Sequence, residues 1–203
     1  MIERRNQESR AAEAAASAAR HAMTECVALL RGINVGGNRK IAMADLGTFF
    51  TRLGFTDVST LLQTGNVVFQ SPSASAARLE RKLEEESAKV LGLTTDFFVR
   101  TAREWKALVA DNPFPDAAAR DPSHLVLMCL KASPSANQVA SLRKAIVGRE
   151  LVEVRGHNAY IVYPDGIGTS RLTNAVLDRQ LGTRGTGRNW NTVLKLATEL
   201  GVG

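Results

Sequence analysis

Three stretches of the chain concentrate the side chains and glycines that could hold an anion. The first runs Arg31-Gly32-Ile33-Asn34-Val35-Gly36-Gly37-Asn38-Arg39-Lys40 and leaves an apolar run to form a basic, glycine-rich loop before a helix. Glycines there let backbone N–H groups face a ligand, which makes Arg31, Asn34, Gly36, Gly37 and Lys40 candidates for phosphate binding. It is not a nucleotide-binding P-loop, because Asn38-Arg39 stands where Lys-Ser/Thr is required. The second stretch, Tyr163 to Arg171, places two glycines before a helix expected to begin near Thr169 or Ser170; Gly168, Ser170 and Arg171 are its candidates. The third is Thr186-Gly187-Arg188-Asn189-Trp190-Asn191-Thr192, dense in polar side chains at another expected helix start. Thr186, Arg188, Asn189 and Asn191 are its candidates, since Asn and Thr have poor propensity for a plain helix interior.

Each stretch also has a purely structural account. Glycines serve tight turns, Thr169 or Ser170 could simply cap a helix, and the polar cluster at 186–192 could satisfy buried backbone groups between two halves of the molecule. Gln63-Thr64-Gly65-Asn66 reads as a hairpin turn rather than a ligand contact. The net charge of +6 is concentrated in these regions: residues 31–40 carry +3 and residues 168–195 carry +4. A localised basic surface attracts anions.

Other chemistries find little material. His21, His124 and His157 show no metal-ligand spacing, so no metal and no cofactor are expected. There is no Gly-x-Ser-x-Gly nucleophile elbow. Asp165 is the one acid inside the proposed sites, a thin basis for acid–base catalysis.

The elements that must position these residues follow an orderly pattern. An apolar strand at 25–31 precedes a helix at 43–53, a hairpin of strands at 57–63 and 66–70, a helix at 75–91 and a strand at 95–99. This is the β-α-β-β-α-β order of the ferredoxin-like split βαβ. The order recurs as a strand at 124–130, a helix at 135–147, strands at 150–155 and 159–163, and a helix at 170–181. Thr101-x-Arg103-x-Trp105 and Thr186-x-Arg188-x-Trp190 look like one repeated motif, with each copy opening a helix. Because Gly182 and Thr186 are so close, the last strand of the second half is expected to be lost or very short. The fold class is therefore α+β: a tandem duplication of two ferredoxin-like βαββα(β) halves, with mostly antiparallel sheets and a C-terminal helix. The halves are expected at 23–111 and 124–203, joined by a proline-rich linker at 112–123.

Residues 1–22 are mostly alanine and charge, and are expected to be a disordered or helical tail. They lack the apolar stretch of a signal peptide, no run is long enough to span a membrane, and a cytoplasmic location is expected. Cys26 and Cys129 sit in apolar strand-like runs and read as buried, reduced thiols.

Five motifs together resemble one family: LLRGINVGG (29–37), TLLQTGNVVF (60–69), NPFP (112–115), YPDGIG.S (163–170) and TGRNWNTV (186–193). They are similar to the domain of unknown function 1697 family, over Cys26 to Leu200. The resemblance implies an α+β fold of two related ferredoxin-like halves in a protein of bacterial type, and it implies no reaction.

The leading functional expectation is binding of an anionic, phosphate-bearing partner, a small molecule such as a nucleotide or a nucleic acid. Low aromatic content, at 5%, argues against a base-stacking sheet surface. Strands that are apolar on both faces argue that both sheet faces are covered, which moves a ligand to the loops and the seam between halves. Arg31, Arg171 and Arg188 are expected to converge in one pocket. The alternatives are an enzyme acting on a small phosphorylated or carboxylated metabolite, and a non-catalytic interaction protein such as a homodimer through an exposed sheet face.

Overall fold

Strand β1 (Thr24–Leu30) carries apolar side chains on both faces, so it must lie between two layers. The computed structural model describes residues 23–34, 40–72 and 75–203 and shows both layers. The readings of the tail, Gly36 and Gly37 lie outside these residues. Cys26, Ala28 and Leu30 face a core closed by α1 (Met43–Arg52) and α2 (Ala76–Val90) through Leu46, Phe49, Phe50, Leu79 and Leu83. Val27 and Leu29 face the opposite way, into a second core.

The first sheet has the order β2-β3-β1-β4, with β2 at Thr56–Leu61, β3 at Asn66–Ser71 and β4 at Phe97–Thr101. Its hydrogen-bonded neighbours are antiparallel throughout. After β4 come α3 (Ala102–Ala110) and a short α4 (Pro115–Arg120) within the proline-rich stretch. The second sheet repeats the order as β6-β7-β5-β8, again antiparallel. Its strands are β5 (Leu125–Leu130), β6 (Leu151–Arg155), β7 (Asn158–Val162) and β8 (Gly185–Asn189). Helices α5 (Ala136–Ala145) and α6 (Asn174–Leu181) cover one face, and α7 (Trp190–Glu199) follows β8. The molecule is thus an α+β fold of two similar halves ending in a helix.

The last strand of the second half is present and as long as its counterpart, correcting the expectation that it is lost or very short. Its sequence, GTGRN, has no apolar residue, so hydrophobic periodicity cannot reveal it. The glycines are the reason it fits. A Cβ on Gly185 would lie 2.8 Å from Leu130 Cδ2 and Met128 Cγ, and one on Gly187 would lie 3.0 Å from Val126 Cγ1. Side chains of β5 therefore cover the glycine face, while Thr186 and Arg188 point the other way.

The apparent Thr-x-Arg-x-Trp repeat is not structural. Pairing across the sheets sets Arg100 opposite Val27 and Arg188 opposite Leu127. The counterpart of Thr101 is therefore Asn189, and both are helix N-caps. The two tryptophans sit at different positions of their helices. Helix α6 also starts later than expected, at Asn174 with Thr173 as its cap, so Thr169 and Ser170 do not open it.

The two second faces meet in one core. Val27, Leu29, Val68 and Phe98 from the first half share it with Leu125, Leu127, Cys129 and Tyr160 from the second, with α3 and α7 supplying Trp105, Trp190 and Val193. The expectation that both sheet faces are covered holds, and the cover comes from the chain itself. Among the described residues each sheet thus has helices on one face and the shared core on the other.

The β2–β3 hairpin is fastened to this arrangement at Gly65. Its φ is +72°, and its carbonyl accepts a 2.9 Å hydrogen bond from the Leu30 N–H. An added Cβ would sit 2.8 Å from Ile33 Cγ1 and 3.0 Å from Leu30 Cβ. Gly65→Ala is expected to destabilise the fold by about 2–4 kcal/mol, combining left-handed strain with overpacking. Urea denaturation would read this as a lower midpoint, and an unchanged midpoint would show that Ile33 moves aside freely.

Candidate functional site

Arginines and lysines at equivalent places in the two halves cross the seam reciprocally. Arg188, at the end of β8, is buried with its guanidinium against the first half. Its Nε donates to Asn66 Oδ1 at 2.6 Å, and Nη2 donates to the carbonyls of Leu30, Thr64 and Gly65 at 2.9, 3.0 and 3.2 Å. Its Nη1 donates to Thr186 Oγ1 and to the Gly187 carbonyl. Arg100 does the same in reverse: Nη2 donates to the carbonyls of Leu130 and His157 at 3.0 and 3.1 Å. In each case the arginine reaches the end of the partner half's first strand and its hairpin turn. Burial pushes the pKa of Arg188 down to about 10, so it keeps its charge at neutral pH.

The residues just after β1 and β5 form a second reciprocal pair. Arg31 makes a 2.7 Å ion pair with Asp178 on α6. Lys131 reaches Glu80 and Glu84 on α2 at 2.8 and 2.6 Å and sits over the Phe98 ring. Arg184 and Asp96 add a 3.1 Å pair across the same seam.

Several of the sequence candidates are therefore engaged inside the protein. Arg31 and Arg188 approach the end of β1 from two sides, but their hydrogen bonds go to Asp178 and to carbonyls. Thr186 is buried and donates to the Leu30 carbonyl. Asn189 caps α7 by accepting from the Thr192 N–H at 3.0 Å, while Asn191 is exposed on the first turn. The structural account of this cluster, side chains satisfying groups between the halves, describes what Thr186 and Arg188 do, whereas Asn189 acts within its own half. Arg171 and Gly168 are exposed on the loop before α6. Ser170 donates to Glu150 Oε1 and accepts from the Leu172 N–H. Arg171 therefore does not share the buried setting of Arg188, and the expected convergence of Arg31, Arg171 and Arg188 is not seen. Asp165, the one acid considered for catalysis, is held by Arg149 on the surface, and that hydrogen bond draws its carboxyl below the usual range.

Asn34 and Lys40 remain together. Asn34 closes the two ends of its loop: its Oδ1 accepts from the Ile41 N–H, and its Nδ2 donates to the carbonyls of Ile41 and Gln63. Lys40, Ile41 and Ala42 then form a wall shared by two adjoining cavities. The smaller, of about 360 Å³, also has Asn34 and Gln63. The larger, of about 680 Å³, runs along α1 past Asp45, Thr48 and Arg52 toward Leu91 and Thr94. Arg52 lines this cavity and is not among the residues the sequence singles out. It lies on a helix face that periodicity marks as outward, and its only sequence signal is its place on the helix that follows the basic loop.

Among the described residues no group of three or more His, Cys, Asp and Glu is placed to hold a metal ion. Burial pushes the Cys26 thiol up to about 12 and the Cys129 thiol upward too, so neither is a ready nucleophile. Among the described residues no helix is long and apolar enough to cross a membrane.

A family described as protein of unknown function (DUF1697) matches residues 23–160, which takes in the first half, the proline-rich stretch and the second half through β7's first residues. The chain belongs to this family. The match stops before the 163–170 and 186–193 motifs, so those rest on their own residues. The solved structure of conserved bacterial protein SP0830 from Streptococcus pneumoniae is similar, with a TM-score of 0.69 and 23% identity over 88% of this chain and 99% of that one. At that identity the likeness concerns the fold. No curated protein matches the chain. Neither the family description nor the bacterial relative carries an activity.

Proposed function

We propose that this DUF1697 protein binds an anionic, phosphate-bearing small ligand in the cavity beside α1. The observation that supports this is that Lys40 and Arg52 line one cavity of about 680 Å³ together with Thr48 and a single acid, Asp45. These cations differ from Arg31, Arg100, Lys131 and Arg188 in having no ion pair or carbonyl partner among the described residues. The N-cap of α1, Ala42, lines the same cavity and offers no side-chain oxygen to the helix's first turn, whose positive end favours an anion. A nucleotide fits such a cavity in size. Two cations and one concave site favour a small ligand over a polynucleotide, which needs a run of phosphate contacts. The cytoplasm suits the two free, buried thiols.

The test is a thermal-shift and calorimetric comparison of pyrophosphate, nucleoside diphosphates and an oligonucleotide. A nucleoside diphosphate is expected to raise the melting temperature, because a ligand at about a hundred times its Kd adds roughly 2.7 kcal/mol. The double variant Lys40→Ala, Arg52→Ala is expected to weaken binding at least about tenfold, the loss of charge-assisted contacts to phosphate. Undiminished binding by the double variant, or binding of none of the three probes, would remove the proposal.

A further inference from the structure

Another cavity lies far along the chain from α1, and two of the sequence motifs meet on it. It has a volume of about 550 Å³. Pro113, Phe114 and Pro115 of the NPFP motif form one side; Leu151, Val162 and Pro164, the last from the YPDG motif, form another. His124 and Asp121 line the same space. Asp116 and Arg120 add charged groups to its lining, and the rest of the wall is proline, phenylalanine and aliphatic side chains, the largely apolar lining with a few polar groups that suits a small molecule.

The polar group is built rather than incidental. Asp121 Oδ2 lies 2.7 Å from Nδ1 of His124, and the other oxygen of the carboxylate accepts from Ser123 Oγ. The His124 backbone is tied on both sides, its N–H donating to the Asp121 carbonyl at 3.2 Å and its carbonyl accepting from the Tyr163 N–H at 2.9 Å. In the neutral imidazole a carboxylate on Nδ1 fixes the proton there and leaves Nε2 as a hydrogen-bond acceptor. Nε2 faces Gly166, where a Cβ would lie 3.6 Å away, so no side chain from that turn covers it. His124 lines the cavity and its side chain is 40% exposed.

We propose that this cavity is a binding site for a small apolar or aromatic molecule carrying a hydroxyl group, whose O–H donates to His124 Nε2 while its ring lies against Phe114, Leu151 and Val162. Asp121 is the positioning residue: it holds the imidazole in the accepting tautomer. The site is independent of the α1 cavity and shares no lining residue with it.

The test titrates the full chain with p-cresol and with 4-methylanisole, which has the same ring but no hydroxyl donor, following backbone amide shifts by NMR. Both probes are expected to move the amides of Phe114, Leu151 and Val162, with millimolar affinity suited to so small a ligand. The cresol is expected to bind about fivefold more tightly, the worth of one net hydrogen bond. His124→Ala should abolish that preference while leaving the anisole's affinity and the melting temperature in place. Asp121→Asn should also reduce it, because an amide can donate to Nδ1 and turn Nε2 into a donor. No shifts at those amides, equal affinity for the two probes, or a hydroxyl preference that survives either substitution would overturn the proposal.

Discussion

Arg188→Ala is expected to lower stability by about 3–5 kcal/mol, from two sources. The first is lost volume at a buried position in the seam between the sheets. The second is orphaned acceptors. Asn66 Oδ1 and the Thr64 carbonyl lose the partner that Arg188 supplies, and the Leu30 carbonyl keeps only the long 3.4 Å bond from Thr186. The Gly65 carbonyl is spared, since it also accepts from the Leu30 N–H. Arg188→Lys is expected to recover little. An ammonium is a point donor, whereas Nε and Nη2 of the guanidinium reach Asn66 and three carbonyls in diverging directions. Urea denaturation gives the measurement, with an altered midpoint and a similar slope as the signature of lost stability. A loss below about 1 kcal/mol would mean that water replaces the arginine and that the seam does not depend on it.

The same residue explains what the sequence could and could not reveal. Backbone carbonyls and phosphate oxygens present a guanidinium with the same acceptor chemistry. Arg188 beside Thr186 and Asn189 therefore reads identically as an anion clamp or as a strut, and only the position of Leu30, Thr64 and Gly65 decides. Those carbonyls are more than a hundred residues away in the chain, so no local pattern could report them. The elements themselves were more legible. β1 and β5 announce a covered sheet because CVALL and LVLMCL are apolar at consecutive positions, and Met43, Leu46, Phe49 and Phe50 mark α1 by their spacing. β8 escaped because its fit depends on having no side chains on one face. Lys40 was legible as a basic residue in a glycine-rich loop. Its partner Arg52 was not, because a lone arginine on a polar helix face has no distinguishing signal.

The misread tryptophan motif leads to the other large effect. Trp105 is wholly buried in the core that both halves share, and its Nε1–H donates to the Val193 carbonyl on α7 at 3.1 Å. Trp105→Ala is expected to cost about 3–5 kcal/mol from the cavity it leaves. Thr101→Ala, four residues earlier, removes only the capping box of the same helix and is expected to cost about 1 kcal/mol. The contrast separates loss of the shared core from loss of α3 itself. Trp105→Phe should fall between them, keeping most of the ring while giving up the bond to Val193. The shape of the transition matters as much as its midpoint. Leu29 and Leu127, from different sheets, lie in one cluster with Trp105, so neither half can shed that face without exposing the other's. A single cooperative transition, coincident by tryptophan fluorescence and far-UV circular dichroism, is therefore expected for the parent and for Trp105→Phe. Two separated transitions in the parent protein would show that each sheet is stable alone with its own helices, and that the reciprocal arginines join two finished domains rather than complete one.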